Sequence, residues 1–348
     1  MNSNKMRAVI YVAPGELELR EVDIPDPGLG ELLVKIRTAL TCGTDVKTYK
    51  RGHPKVPPPS PFGHEFAGDV VSVGKGVEKF KVGMRVVAHN TAPCGTCYYC
   101  KHHQESMCEN LLLNIGAYAE YIIVPAPIVA INTFEIPPEM SYSQAALVEP
   151  LSTVVHGQEI INIQPGEIVA IIGSGPIGLM HLQMALSRGA SLVVVADLSD
   201  ERLEVAKALG KDRVLAINPD QDDIIKQIRD LTDRRGVDVS IESAGAASTW
   251  QTALSVARPG GRVLWFGGLP SGTQVEVDSY AVHYGELSLH GIYHCTPVDV
   301  YHAFQLISSG VIDTGSLITG ELPLEKVEDG LKMMMAGECI KMAIIPDM

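Results

Sequence analysis

The sequence predicts an α/β chain in two domains: a β-rich domain, followed by a doubly wound parallel sheet. Three observations lead there. The stretch Ile168 to Asp197 reads as strand, glycine turn, helix and strand. After it, apolar strands and helical patterns alternate; before it, short strands are separated by Pro/Gly turns. At 348 residues the chain exceeds one ordinary core.

In chain order, residues 1–62 give the strand patterns AVIYV, LELREV and ELLVKIRTAL. The opening MNSNKMRAVIYV runs straight into the first of them with no secretion signal. The passage TCGTDVKTYKRGHPKVPPPSPFGHEFAG reads as loop, rich in proline, and contains Cys42 and the pair His64-Glu65. Next, CGTCYYCKHHQESMC spaces Cys94, Cys97, Cys100 and Cys108 as C-x2-C-x2-C-x7-C. Four thiolates so close in one loop predict a closed tetrahedral zinc site, and a thioredoxin-like redox pair lacks its context here. Cys295 and Cys339 read as packing, His102 and His103 as solvated.

The domain boundary is expected between Glu149 and Gly166. Beyond it, IVAII is a short buried strand leading to Gly173, Gly175 and Gly178 at G-x-G-x-x-G spacing. The first glycine permits the turn, the second admits a pyrophosphate close to the backbone, and the third lets the helix pack on the strand. Pro176 and Ile177 open that helix, whose unpaired N–H groups face the phosphates. The strand LVVVA ends at Asp197, about 20 residues on, placed to accept hydrogen bonds from a ribose and to repel a 2′-phosphate. NAD rather than NADP is therefore expected. Arg202 is a candidate for the adenine or ribose, or equally a solvated helix arginine. Strands RVLAI, VDVSIES, GRVLWFG and ELSLHGIY complete six, with helices between them.

Composition excludes other classes. A net charge of -13 argues against a nucleic-acid partner. The longest apolar region is interrupted by His181, Gln183 and Arg188, so no membrane span is expected. Seven cysteines without a signal peptide fit metal thiolates in a reducing cytoplasm.

Residues 63–77, GHEFAGDVVSVGKGV, resemble the zinc alcohol dehydrogenase signature at Gly63, His64, Glu65, Gly68, Gly74 and Val77. The chain is similar nearly end to end to zinc-dependent medium-chain dehydrogenases of the polyol (sorbitol) and threonine branch. That resemblance implies a GroES-like catalytic domain over 1–155, a Rossmann domain over 156–293 and a return to the catalytic domain over 294–348. It implies two zinc ions, one in the four-cysteine lobe and one catalytic at Cys42 and His64, with Glu65 as a third ligand. Glu149 matches a position that either ligates zinc or holds its water. Thr44 matches the hydroxyl that takes the alcohol proton. Lys47 replaces a histidine common at the outer end of that relay; lysine normally titrates at about 10, leaving His53 or water as the exit. Only ENLLLNI separates Cys108 from GAYAEYIIVPA, a shorter connection than many relatives have.

The implied function is zinc-dependent hydride transfer between a secondary alcohol, of polyol type, and NAD. Polyol-phosphate and L-threonine dehydrogenases are the alternatives, and a non-catalytic, zinc-stabilised, NAD-binding redox sensor is the alternative of another class. Lys47, Lys50, Arg51, His53 and Lys55 form either a solvated face or a site for an anionic alcohol. His294 stands where polyol relatives carry an arginine, or is simply exposed. Met333 to Met335 read as core or subunit contact. The resemblance also implies a homo-oligomer, dimer or tetramer.

Overall fold

Strand Leu32–Leu40 is apolar at most positions because it has neighbours on both edges. It pairs antiparallel with Glu65–Val73, Tyr121–Val124 and Met342–Ile345. The computed structural model describes residues 4–348, and these divide into two units. One runs to Ser152 and resumes over Thr296–Gly310 and Thr314–Met348; the other comprises Thr153–Cys295 and Val311–Asp313.

The first unit is built on the seven-stranded sheet that contains Leu32–Leu40, with a three-stranded antiparallel sheet of Glu16–Asp23, Lys5–Ala13 and Ser60–Pro61. Its core holds Tyr11, Phe62 and Tyr118 in a row, with ring centroids 5.6 and 5.8 Å apart. Gly68 is needed where two strands nearly touch: a Cβ there would lie 2.0 Å from the Lys35 carbonyl oxygen. The C-terminal strand Met342–Ile345 places Ala343 opposite Leu40. The Thr41 N–H donates to the Met342 carbonyl at 3.0 Å, so Lys341 arrives beside the segment that carries Cys42.

The passage read as loop from Thr41 onward contains a helix, Gly43–Arg51. Its β-branched and glycine residues give little helical signal. Tertiary contacts supply the rest: Asp45, Thr48 and Tyr49 are buried, and the Tyr49 hydroxyl donates to Glu328 at 2.8 Å. Cys42 caps the N-terminus and Gly52, at φ +80°, ends the helix.

The second unit is a six-stranded parallel sheet. Its spatial order is Val214–Ile217, Leu192–Ala196, Ile168–Ile172, Val237–Glu242, Ala257–Trp265 and Ser288–Gly291. The central strands read as continuous apolar runs because both faces are covered. The order reverses between Ile168–Ile172 and Val237–Glu242, the point at which doubly wound sheets bind dinucleotides. Among the described residues, no helix is long and apolar enough to cross a membrane.

Candidate metal centres and dinucleotide site

Cys42 lies at the N-terminus of helix Gly43–Arg51, where its Sγ accepts the Thr44 N–H at 3.4 Å. His64 precedes strand Glu65–Val73, and Glu65 begins it. The metal-binding atoms of Cys42, His64 and Glu65 lie within 4.8 Å of one another. Asp45, one helical turn after Cys42, approaches His64 Nδ1 at 3.0 Å with Oδ1. Asp45 Oδ2 accepts the Tyr118 hydroxyl at 2.6 Å. A proton on Nδ1, donated to Asp45, leaves Nε2 as the metal-binding lone pair.

Electrostatics at this cluster are set by burial against close opposite charges. Burial lowers the His64 pKa, but Asp45 and Cys42 outweigh it and hold the imidazole well above its usual value. Burial and the Glu65 charge push the Cys42 thiol up. Burial also raises Glu65, against the pull of Lys341. The Lys341 ammonium donates to both Glu65 oxygens, at 2.9 and 2.6 Å, and to the Thr41 carbonyl at 2.6 Å. Both side chains are essentially fully buried.

Glu149 stands outside the 4.8 Å group, and burial pushes its carboxyl up to about 7. Its Oε1 faces His89 Nε2 at 3.9 Å. The Thr91 N–H donates to His89 Nδ1 at 3.2 Å, so Nε2 carries the proton of the neutral ring and faces the Ser152 hydroxyl at 3.2 Å. Ser152 donates in turn to the Glu149 carbonyl at 2.6 Å.

Thr44 and the cations Lys47, Lys50, Arg51 and Lys55 are exposed. His53 is half-buried; its Nδ1 accepts the Lys55 N–H at 3.2 Å, and burial lowers its pKa. His294 is half-buried with φ +60°. Sequence reasoning missed Asp45, Tyr118, His89 and Lys341. Asp45 carried a usable signal, its spacing from Cys42; Lys341 is 276 residues from Glu65 and carried none.

The four-cysteine lobe brings the sulfur atoms of Cys94, Cys97, Cys100 and Cys108 together, all as free thiols. Cys97 Sγ is 3.5 Å from Cys100 Sγ and 3.9 Å from Cys108 Sγ. Zinc–sulfur bonds of about 2.3 Å in a tetrahedron require sulfur separations of about 3.8 Å, so this donor set fits zinc. Backbone N–H groups of Cys94 and Cys97 donate to Cys108 Sγ at 3.2 Å and Cys94 Sγ at 3.4 Å. The Thr96 hydroxyl and backbone amides draw Cys94 down to about 5, favouring the thiolate that a metal needs. The cluster at Cys42 also fits zinc: it offers thiolate, imidazole and carboxylate donors, and its histidine is already oriented.

In the second unit, Gly173 adopts φ +101° and turns the chain out of strand Ile168–Ile172. A Cβ on Gly178 would sit 1.9 Å from the Gly173 carbonyl, whereas one on Gly175 would meet open space. Helix Pro176–Ser187 has no side-chain cap, so its first N–H groups remain available to an anion. Ile177 is half-buried in its first turn. Asp197 accepts the Ser174 N–H at 2.6 Å and the Ser199 N–H at 3.0 Å, which orients its carboxylate at the end of strand Leu192–Ala196. Arg202 lies in the helix that Ser199 caps.

Residues 28–133 match the alcohol dehydrogenase GroES-like domain, and residues 176–309 the zinc-binding dehydrogenase domain. The chain is 33% identical to sorbitol dehydrogenase of Bacillus subtilis (strain 168), over 98% of each chain. It is 35% identical to L-threonine 3-dehydrogenase of Pyrococcus horikoshii, over 99% of each. A Sinorhizobium meliloti 1021 structure bound to NADP, assigned only by likeness as a zinc-binding dehydrogenase, superimposes with a TM-score of 0.92 at 32% identity. That match covers 98% of this chain and 99% of the other. The chain belongs to the zinc-dependent medium-chain alcohol dehydrogenase family, enzymes that transfer hydride between an alcohol and a nicotinamide cofactor.

Proposed function

We propose that the chain oxidises a secondary alcohol of the polyol class and delivers hydride to NAD. The observation that carries this reading is the convergence of Cys42, His64 and the buried Glu65, with the exposed Thr44 two residues after Cys42. In this reading Cys42, His64 and Glu65 hold the catalytic zinc with Glu149 beside them, and the four-cysteine lobe holds the structural one. A zinc ion supplies Lewis acidity that lowers the pKa of the substrate hydroxyl. Asp45 fixes the His64 tautomer, Tyr118 fixes Asp45, and Lys341 balances the Glu65 charge. Thr44 Oγ1 takes up the hydroxyl proton while passing its own outward. Bound NAD would supply the hydride acceptor, so that oxidation of the alcohol would yield a carbonyl compound and one released proton. Gly173, Gly175, Pro176, Ile177 and Gly178 would cradle the pyrophosphate, and Asp197 and Arg202 would meet the adenosine ribose. NADP in one structural neighbour does not weigh against NAD here, because the Asp197 carboxylate repels a 2′-phosphate.

A phosphorylated polyol is the second reading. Thr44, Lys47 and Arg51 stand three and four residues apart on the exposed face of one helix, so two cations share the face of the proton-accepting hydroxyl. The family likeness also supports a homo-oligomer, dimer or tetramer, in the cytoplasm. Tyr280 and Tyr284, 69% and 70% exposed just before the edge strand Ser288–Gly291, fit a subunit contact. A sedimentation mass of one chain would refute the oligomer.

The deciding experiment measures zinc per chain and then NAD reduction with polyols, L-threonine and polyol phosphates. Two zinc ions and turnover on one of these groups are expected, and Cys42→Ser abolishes turnover while sparing NAD binding. Two zinc ions with no turnover on any of them would refute the catalytic reading in favour of a redox sensor.

A further inference from the structure

Glu242, the last residue of strand Val237–Glu242, is completely buried. Its carboxylate is held by neutral donors. Oε1 accepts the N–H groups of Ala244 at 2.9 Å and Gly245 at 2.6 Å, and the Thr249 hydroxyl at 2.7 Å. Oε2 accepts the Gly267 N–H at 3.2 Å. Ala244 and Gly245 precede helix Ala247–Val256, Thr249 lies in its first turn, and Gly267 follows strand Ala257–Trp265, so one carboxylate joins two loops.

The sheet makes the comparison direct. Strand Ile168–Ile172 also runs into a glycine turn and a helix, and neither N-cap residue, Gly175 there or Ala246 here, makes a side-chain cap bond. In the second strand–turn–helix unit the turn's Ala244 and Gly245 N–H groups are taken from within, by Glu242.

The loop that Glu242 fixes is the wall behind the first. The Ser243 hydroxyl faces the Gly173 carbonyl at 2.8 Å. A Cβ on Gly173 would lie 2.9 Å from the Ala244 nitrogen. On the other side, Glu242 holds the Gly267 N–H while the Trp250 indole donates to the Gly267 carbonyl at 2.9 Å. A Cβ on Gly267 would lie 2.5 Å from the Gly245 nitrogen and 2.6 Å from Glu242 Oε2, so the two loops meet backbone to backbone. Both follow the C-terminal ends of strands in the second mononucleotide half of the sheet, opposite the half that ends in Asp197.

We propose that Glu242 is a positioning residue for the nicotinamide half of the cofactor. Its buried carboxylate locks the Ser243–Gly245 turn against the glycine turn and ties it to Gly267, fixing the floor on which that half rests. The proposal rests on the reading of this unit as the dinucleotide site.

Glu242→Gln replaces one acceptor oxygen by a donor facing N–H groups and so frees the loops while leaving the adenosine half intact. Calorimetry on the zinc-loaded enzyme with NAD and with AMP separates the outcomes. The expected result is NAD binding weakened about tenfold or more, AMP binding changed by less than about twofold, and faster amide exchange at Ala244, Gly245 and Gly267. Thr249→Val, which removes one of the four donors, shifts the NAD-to-AMP affinity ratio the same way by a smaller factor. Equal weakening of NAD and AMP in Glu242→Gln, or no change in either, would overturn the proposal. If that variant does not fold, an unchanged ratio in Thr249→Val overturns it. Failure of the wild-type enzyme to bind NAD at all would instead defeat the underlying dinucleotide reading.

Discussion

Replacing Lys341 by methionine removes the cation from a fully buried ion pair while keeping much of its volume. Glu65 then loses two hydrogen bonds from Nζ, at 2.9 and 2.6 Å, and the Thr41 carbonyl loses one. Two unit charges about 4 Å apart attract by about 4 kcal/mol at an effective dielectric of 20. Removing one partner of a buried pair typically costs about 3–5 kcal/mol, because the other charge is left uncompensated. For a unit of about 200 residues this lowers the melting temperature by roughly 6–20 °C. The double variant Glu65→Gln, Lys341→Met leaves no unpaired charge and recovers most of the loss. The pH dependence has a defined sign. Burial already raises the Glu65 pKa, and losing Lys341 raises it further, so the folded variant binds a proton that the unfolded chain releases. Its stability deficit therefore grows as pH rises and shrinks as pH falls. Zinc at the site neutralises part of the stranded carboxylate, making the deficit larger after chelation. Thermal unfolding followed by circular dichroism, with and without chelator, reads all of these effects. A Lys341→Met midpoint within about 2 °C of wild type at neutral pH would show that the pair is not charged in the fold and would refute the reasoning.

Asp197→Gly removes the proposed ribose acceptor and the bonds to Ser174 and Ser199; NAD affinity should fall about tenfold with NADP gaining relative to it, and an unchanged preference in titration would sink the assignment. Cys97→Ser should reduce metal content from two zinc ions to one and destabilise the lobe, since structural zinc contributes folding energy directly; two ions remaining by elemental analysis would contradict the four-sulfur site. His181, buried against Phe266 with ring centroids 4.8 Å apart, has its pKa lowered to about 3 by burial. The unfolded chain therefore binds this proton first as pH falls, and His181 should drain stability between about pH 6.5 and 3, at about 1.4 kcal/mol per pH unit. His181→Leu should flatten that acid limb in denaturant titrations, and an unchanged slope would count against the shift.

Much of the second unit was legible in the sequence because its signals are local. A strand buried on both faces must be apolar throughout, and a turn under a pyrophosphate must be glycine, so IVAII, the three glycines and LVVVA stand out without knowledge of contacts. The four-cysteine lobe is equally local, with every donor between Cys94 and Cys108. Helix Gly43–Arg51 was hidden because its stability comes from burying Asp45, Thr48 and Tyr49 rather than from helical propensity.

By itself, then, the sequence determined where the turns fall, which strands are buried, and which thiols and imidazole are spaced for metal. These are properties of neighbours along the chain. Tertiary structure alone decided what surrounds those donors. Pairing Ala343 with Leu40 carries Lys341 to Glu65, the Tyr118 loop reaches Asp45 behind His64, and Glu242 gathers two loops on one carboxylate. A single lysine, tyrosine or glutamate has no period or spacing to betray it. Its role follows from the desolvation that burial imposes and from the partner that the folded chain brings within hydrogen-bonding distance.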